Sequence, residues 1–185
     1  IDHDDSYEFL RDFINRVSES GCSSFTIHAR KAWLKGLSPK QNRTVPPLNY
    51  ERVYQLKEDY PHLEVIMNGG IANTSAVQTH LQYVDGVMIG REAYRNVFWL
   101  DELERTFLDA AKPRLNRQEI FLTYLDYVEA VVSEERCSLQ QLIKHALGLF
   151  SGIHGVRAFR NDICVYAREG VAGIGKIRAL SERLL

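Results

Sequence analysis

The chain has 185 residues and 45% apolar side chains, enough to pack one domain of ordinary size or two small ones. No apolar run approaches the ~20 residues a membrane-spanning helix needs, so no such helix is expected. A net charge of −1 argues against a protein that binds nucleic acid through overall charge, because phosphate neutralisation supplies much of that affinity.

Between Asp5 and Ser20, Phe9, Phe13, Ile14 and Val17 recur at helical spacing, with capping Asp and Ser before them and Gly21 as the stop. Ser24 to His28 is a short β-prone run, with Cys22 placed where a buried strand would begin. A long loop from Lys31 to Asn49 follows, holding Pro39, Pro46 and Pro47; loops of this length are usually functional or disordered. Tyr50 to Tyr60 reads as a helix closed by Pro61, and Leu63 to Met67 as a buried strand running into Asn68-Gly69-Gly70. Thr74 to Leu81 gives another short helix, and Val84 to Ile89 a third strand ending at Gly90-Arg91. Each connection is long enough for a right-handed crossover, so the sheet should be parallel.

Composition changes after Leu100. Phe121, Leu125, Val128 and Val132 mark one helix, and Leu139, Leu142, Ile143, Ala146 and Leu149 repeat the design. Ile163 to Tyr166 is open between strand and helix. The expected class is α/β followed by an all-α part: residues 1–100 carry the strands and 101–185 form a helical domain.

The three cysteines (Cys22, Cys137, Cys164) show neither CxxC spacing nor an even count, which suits a reducing cytoplasm and structural rather than reactive roles. No metal-ligand cluster or catalytic triad spacing is visible. Two adjacent strand ends carry glycine with a polar group, Asn68-Gly69-Gly70 and Gly90-Arg91. Either alone would pass as a turn. The repetition favours a phosphate site, because glycine lets backbone N–H groups approach the oxygens and arginine adds a forked donor. His28 ends the first strand on the same rim and is a donor candidate for a cofactor. From Ser20 to Tyr50 there is no acid, while Arg30, Lys31, Lys35, Lys40 and Arg43 fall inside that window with Trp33 among them, which favours an anionic polymer over a merely solvated face. Arg157 and Arg160 should share a helix face, with Lys144 and His145 near in sequence.

His28-Ala29-Arg30-Lys31-Ala32-Trp33-Leu34-Lys35-Gly36-Leu37-Ser38-Pro39-Lys40-Gln41-Asn42-Arg43 with Pro46-Pro47-Leu48 closely resembles the A-type bacterial tRNA-dihydrouridine synthases. The resemblance continues through Val65 to Ile71, Val84 to Tyr94, His145 to Phe150 and Gly155 to Arg160; the tail after Asn161 carries no such motif. It implies the C-terminal part of an FMN-binding TIM barrel (the last three strands) followed by a helical tRNA-binding domain. It also implies reduction of the C5–C6 double bond of D-loop uridines at position 20 and its neighbour, with FMN reduced by NADPH. On matching positions, His28, Asn68, Gly69, Gly70, Gly90 and Arg91 would hold FMN, and Lys40, Arg43, Arg157 and Arg160 would contact tRNA. A cytoplasmic protein, monomeric when complete, is expected.

The family's Pro-Met flavin contact, its Gln, its catalytic Cys and its strand-borne Lys have no counterpart here. Ile1 to Asp5 resembles the point just after that Lys, and the start at Ile1 reads as a cut. None of the three cysteines replaces the missing proton donor, so this chain alone is expected to lack reductase activity and to bind FMN weakly at best. Three rival readings remain: a non-catalytic tRNA-binding half-barrel, another FMN barrel oxidoreductase acting on a small metabolite, and a helical interaction protein.

Overall fold

A computed structural model describes residues 6–33, 35–134 and 136–184. Ile1 to Asp5, matched above to the point after a lysine-bearing strand, lie outside the described residues, as does Leu34 of the basic loop. The chain divides by packing into two compact units, residues 1–90 and 91–185. That division precedes residue 100, where the sequence reading divides the chain by function, because the segment after Gly90 packs with the helices that follow it. A Cβ on Gly148 would stand 2.3 Å from the Tyr94 carbonyl oxygen, so this glycine is what lets the two backbones meet.

The first unit alternates helix and strand: α1 (Tyr7–Glu19), β1 (Ser24–His28), α2 (Pro39–Asn42), α3 (Glu51–Asp59), β2 (Glu64–Asn68), α4 (Thr74–His80) and β3 (Gly86–Met88). The strands form a three-stranded sheet in the order β1-β2-β3; it is parallel, as the crossover lengths predict. Ser6 caps α1 by accepting from Phe9 N, and Ile14 is the residue that α1 buries. Side chains alternate across a strand. Phe25, Val65 and Met67 are buried on one side, where β2 packs on α3 with its buried Val53, Tyr54 and Leu56. Thr26, His28, Glu64 and Met88 point the other way and are exposed, with Ile66 and Asn68 half-buried among them. Cys22 is exposed rather than part of a buried strand start; β1 begins two residues later, and the thiol donates to Ser24 O.

Two ties fix the sheet and its helices. Asp85 accepts from Val65 N and pairs with Lys57 Nζ, both at 2.8 Å, which joins α3 to the start of β3. Burial raises the Asp85 carboxyl, but the hydrogen bonds from Lys57 and Val65 with the lysine's charge outweigh it and leave the pKa lowered. Tyr7 donates to Asp59 at 2.5 Å, and Tyr60 to Arg11 O at 3.3 Å, which hold α1 beside the end of α3.

The second unit contains α5 (Arg91–Arg95), α6 (Trp99–Phe107), α7 (Arg117–Ser133), α8 (Leu139–Ala146), a 3-10 turn (Leu147–Phe150), α9 (Val156–Tyr166), a second 3-10 turn (Ala167–Glu169) and α10 (Val171–Leu184). The periodic residues of α7 and α8 do face one core. At its centre the Phe150 ring lies 4.9 Å from Phe121 and 4.7 Å from Phe159, each burial contributing about 2 kcal/mol. Ile163 to Tyr166, open between strand and helix in the sequence, is helical: Phe159 and Ile163 bury one face of α9, and Ala167 continues it at the same spacing into the 3-10 turn. Arg178 on α10 reaches Asp126 at 2.7 Å and Glu129 at 3.3 Å on α7.

Candidate functional site

The sheet register sets His28 beside Asn68 and Asn68 beside Met88, forming a row across the carboxyl ends of the strands. Open parallel sheets bind ligands at that end. The Asn68 carbonyl accepts from Ala29 N at 2.8 Å and lies 3.2 Å from His28 Nδ1, which leaves Nε2 as the histidine nitrogen available to a ligand. Asn68 Nδ2 approaches Met88 Sδ at 3.4 Å. His28, Asn68, Gly69 and Gly70 therefore do come together, from strands separated by a long stretch of chain.

Directly after the row the backbone turns through Gly69 (φ +121°) and Gly70 (φ +72°), conformations that L side chains adopt only with strain. The turn is also hemmed in. A Cβ on Gly69 would lie 2.9 Å from His28 Nδ1, and one on Gly70 2.6 Å from Leu48 Cδ1 and 2.9 Å from Tyr50 Oη. Gly90 differs, with no atom within 4 Å of its Cβ position. Arg91 follows it as the first residue of α5 and is exposed. Imidazole, carboxamide and a bare glycine backbone at one sheet end form a donor set able to hydrogen-bond a phosphorylated ligand.

Tyr50, which the sequence did not single out, donates to Gly69 O at 2.9 Å. Its ring packs on His80 with centroids 4.4 Å apart, and Tyr54 Oη shares a 2.7 Å hydrogen bond with His80 Nδ1. Burial raises both tyrosine hydroxyls, for Tyr50 against the charge of Arg30, and lowers the His80 imidazole. An aromatic residue directly after Pro-Pro-Leu-Asn and ahead of a helix was the available signal, but nothing in the sequence tells that its hydroxyl reaches a glycine turn.

The basic loop is folded. Arg30 pairs with Leu48 in an antiparallel bridge, Asn49 N donates to Ala29 O at 2.7 Å, and Arg30 Nη1 donates to Thr44 O at 3.2 Å and to Pro46 O. Arg30 is thus committed to the loop's own carbonyls rather than displayed with the other cations. Trp33 and Asn42 exchange hydrogen bonds, each 2.8 Å, and Ser38 and Gln41 form a capping box on α2. These contacts present Lys40 on α2 and Arg43 at its C-cap as exposed side chains. A cleft of about 610 Å³ opens beside the loop, with Phe9, Phe13, Trp33, Arg30 and His28 in its walls.

In the second unit Arg157 is exposed on α9, whereas Arg160 is half-buried and donates through Nε and Nη2 to Leu147 O at 3.1 and 2.8 Å. Lys144 and His145 are exposed on α8, and His145 Nδ1 lies 2.8 Å from Tyr94 Oη. Among the described residues no group of three or more His, Cys, Asp or Glu is placed to hold a metal ion, and no helix is long and apolar enough to cross a membrane.

The profile of the family described as "Dihydrouridine synthase (Dus)" matches residues 1–177, including most of the tail that the motifs left unmatched. Curated proteins named "tRNA-dihydrouridine(20/20a) synthase" are similar over nearly the whole chain. The Shewanella oneidensis protein is 47% identical over 178 residues, 96% of this chain and 53% of its own length. The Pasteurella multocida protein is 46% identical over 182 residues, 98% of this chain and 55% of its own, and that of Vibrio cholerae 46% over 175 residues, 94% and 53%. The chain spans about half the length of these relatives.

Proposed function

Since this chain belongs to the dihydrouridine synthase family, we propose that it forms the C-terminal part of a flavin enzyme that reduces D-loop uridines of tRNA, at positions 20 and 20a. The observation that carries the reading is the row of His28, Asn68 and Met88 capped by the Gly69-Gly70 turn at the carboxyl end of a parallel sheet. On this reading the three strands are the last of an FMN-binding TIM barrel, and their exposed face is the barrel interior.

His28 and Asn68 hold FMN at the strand ends, and the glycine turn offers backbone N–H groups to the phosphate. Gly90 would join them at the end of β3, and Arg91 is assigned to the FMN phosphate by the sequence resemblance alone. When bound, FMN supplies hydride to the uracil C5–C6 double bond after reduction by NADPH. On this reading the proton donor and the remaining flavin contacts lie in the length of the relatives that this chain does not span. Lys40 and Arg43, fixed by the loop's internal hydrogen bonds, engage tRNA phosphates in the first unit, and Arg157 does so in the second. Arg160 acts beside it by holding the Leu147 carbonyl and so the shape of that surface.

The open sheet also supports a second reading. Three strands with one face uncovered do not enclose a flavin ring, so the chain by itself would bind tRNA without catalysis. Fluorescence titration of FMN into the purified chain, repeated with the upstream half of a relative supplied, separates the two. Binding only when both halves are present supports the synthase. Binding of tRNA with no FMN response in either preparation would leave only the second reading standing.

A further inference from the structure

Resting on the flavin reading above, we infer that Tyr50 is a positioning residue for the phosphate-binding turn, acting through its hydrogen bond to the Gly69 carbonyl. A trans peptide holds its C=O and N–H on opposite sides of one plane. Fixing Gly69 O toward Tyr50 Oη at 2.9 Å therefore aims the Gly70 N–H away from Tyr50. That control matters at this turn more than at most. Two consecutive glycines have the widest backbone freedom of any dipeptide, so a specific peptide orientation has to be imposed from outside.

The structure supplies the restraint on one side of the turn. Leu48, with His28 at Gly69 and Tyr50 at Gly70, occupies the space that Cβ atoms on the two glycines would take, so on that flank the glycines meet side chains rather than ligand. Tyr50 is itself braced. Its ring rests on His80, which is buried to 4% exposure and anchored by Tyr54 Oη, and the Tyr54 ring stacks on Tyr83 with centroids 4.4 Å apart. A continuous set of rings thus runs from α3 and α4 to one carbonyl at the ligand end of β2. Preorganised backbone donors bind an anion without reorienting as it arrives, and such bracing is what keeps them so.

The alternative, that Tyr50 merely fills the core, makes a different prediction. Tyr50→Phe keeps the ring and its packing on His80 and deletes only the hydroxyl. The variant should be made in this chain joined to the upstream barrel half found in its relatives, and its affinities for FMN and for riboflavin, which lacks the phosphate, measured by quenching of flavin fluorescence alongside a thermal melt. The expected result is an FMN dissociation constant raised about five- to tenfold, the worth of one positioned hydrogen bond, with riboflavin affinity changed less than about twofold. An unchanged FMN-to-riboflavin ratio in the variant, whether both affinities fall together or neither moves, would overturn the inference while leaving the flavin reading intact. If the unaltered protein fails to bind FMN, the flavin reading falls and the inference with it.

Discussion

The two glycines after β2 and the one after β3 look alike in sequence and differ in what surrounds them. Gly70→Ala would place a methyl 2.6 Å from Leu48 Cδ1 at a φ of +72°, combining steric conflict with backbone strain. We expect a loss of about 2 kcal/mol in a denaturant melt, together with weakened FMN binding. Gly90→Ala meets open space and should change stability by less than about 0.5 kcal/mol. Similar losses for the two would mean that the contacts around Gly70 do not constrain it. His80 carries a pH signature. Burial lowers its pKa in the folded chain, where it faces Tyr50 and Tyr54, so the neutral form is favoured there. As pH falls below about 6.5 the unfolded chain takes up a proton that the folded chain resists, and the stability present above that pH is lost progressively down to the folded pKa. The urea midpoint should drop between about pH 7.5 and about pH 5.5, and His80→Gln should flatten the drop. An equal drop in the variant would assign the acid sensitivity to other groups.

At the level of elements, the loop from residue 31 to 49 shows how a segment without regular structure acquires one. The Ser38–Gln41 capping box starts α2, the Trp33–Asn42 exchange closes it back on the chain, and Arg30 clasps the far end. The outcome is a hydrogen-bonded mount for Lys40 and Arg43. Replacing both by alanine should weaken tRNA binding and lower the slope of log affinity against log salt by about 1 to 2, since each phosphate contact releases roughly one counterion. FMN affinity should be unaffected. A salt slope equal to that of the unaltered protein would make the loop an ordinary solvated surface. The α9 pair divides differently: Arg157 is exposed and Arg160 is tied to a carbonyl, so Arg160→Ala should lower the melting temperature as well as tRNA affinity, while Arg157→Ala should lower affinity alone.

Across the whole molecule, the two units differ in how complete their cores are. Residues 91–185 enclose Phe121, Leu125, Phe150, Ile163 and Ile177 on all sides, each fully buried. Expressed alone, this segment should give a helical circular dichroism spectrum and a cooperative melt. A featureless melt would mean that its packing needs the rest of the chain. Residues 1–90 have a sheet with two edge strands and one exposed face, and parallel sheets are normally covered on both. The chain belongs to a family whose compared members are about twice as long, and the uncovered face, where Thr26, His28 and Glu64 lie with Ile66 and Met88, is unpartnered among the described residues of 1–90.

The alternation of helix and strand, the parallel sense of the sheet, the core faces of α7 and α8 and the family are legible in the amino acids alone, because each is written in local periodicity, in punctuation by Gly and Pro, or in contiguous motifs. Ile163 to Tyr166 is ambiguous in sequence because four β-prone residues carry no period until Phe159 and Ala167 are seen on the same face. That Arg30 serves its own loop, that Arg160 braces a carbonyl while Arg157 stands exposed, and that Tyr50 reaches the Gly69-Gly70 turn emerges from the folded chain alone. Those are contacts between residues far apart along the chain, and the chemistry of a side chain fixes what it can bond to but not which partner the fold brings within 3 Å.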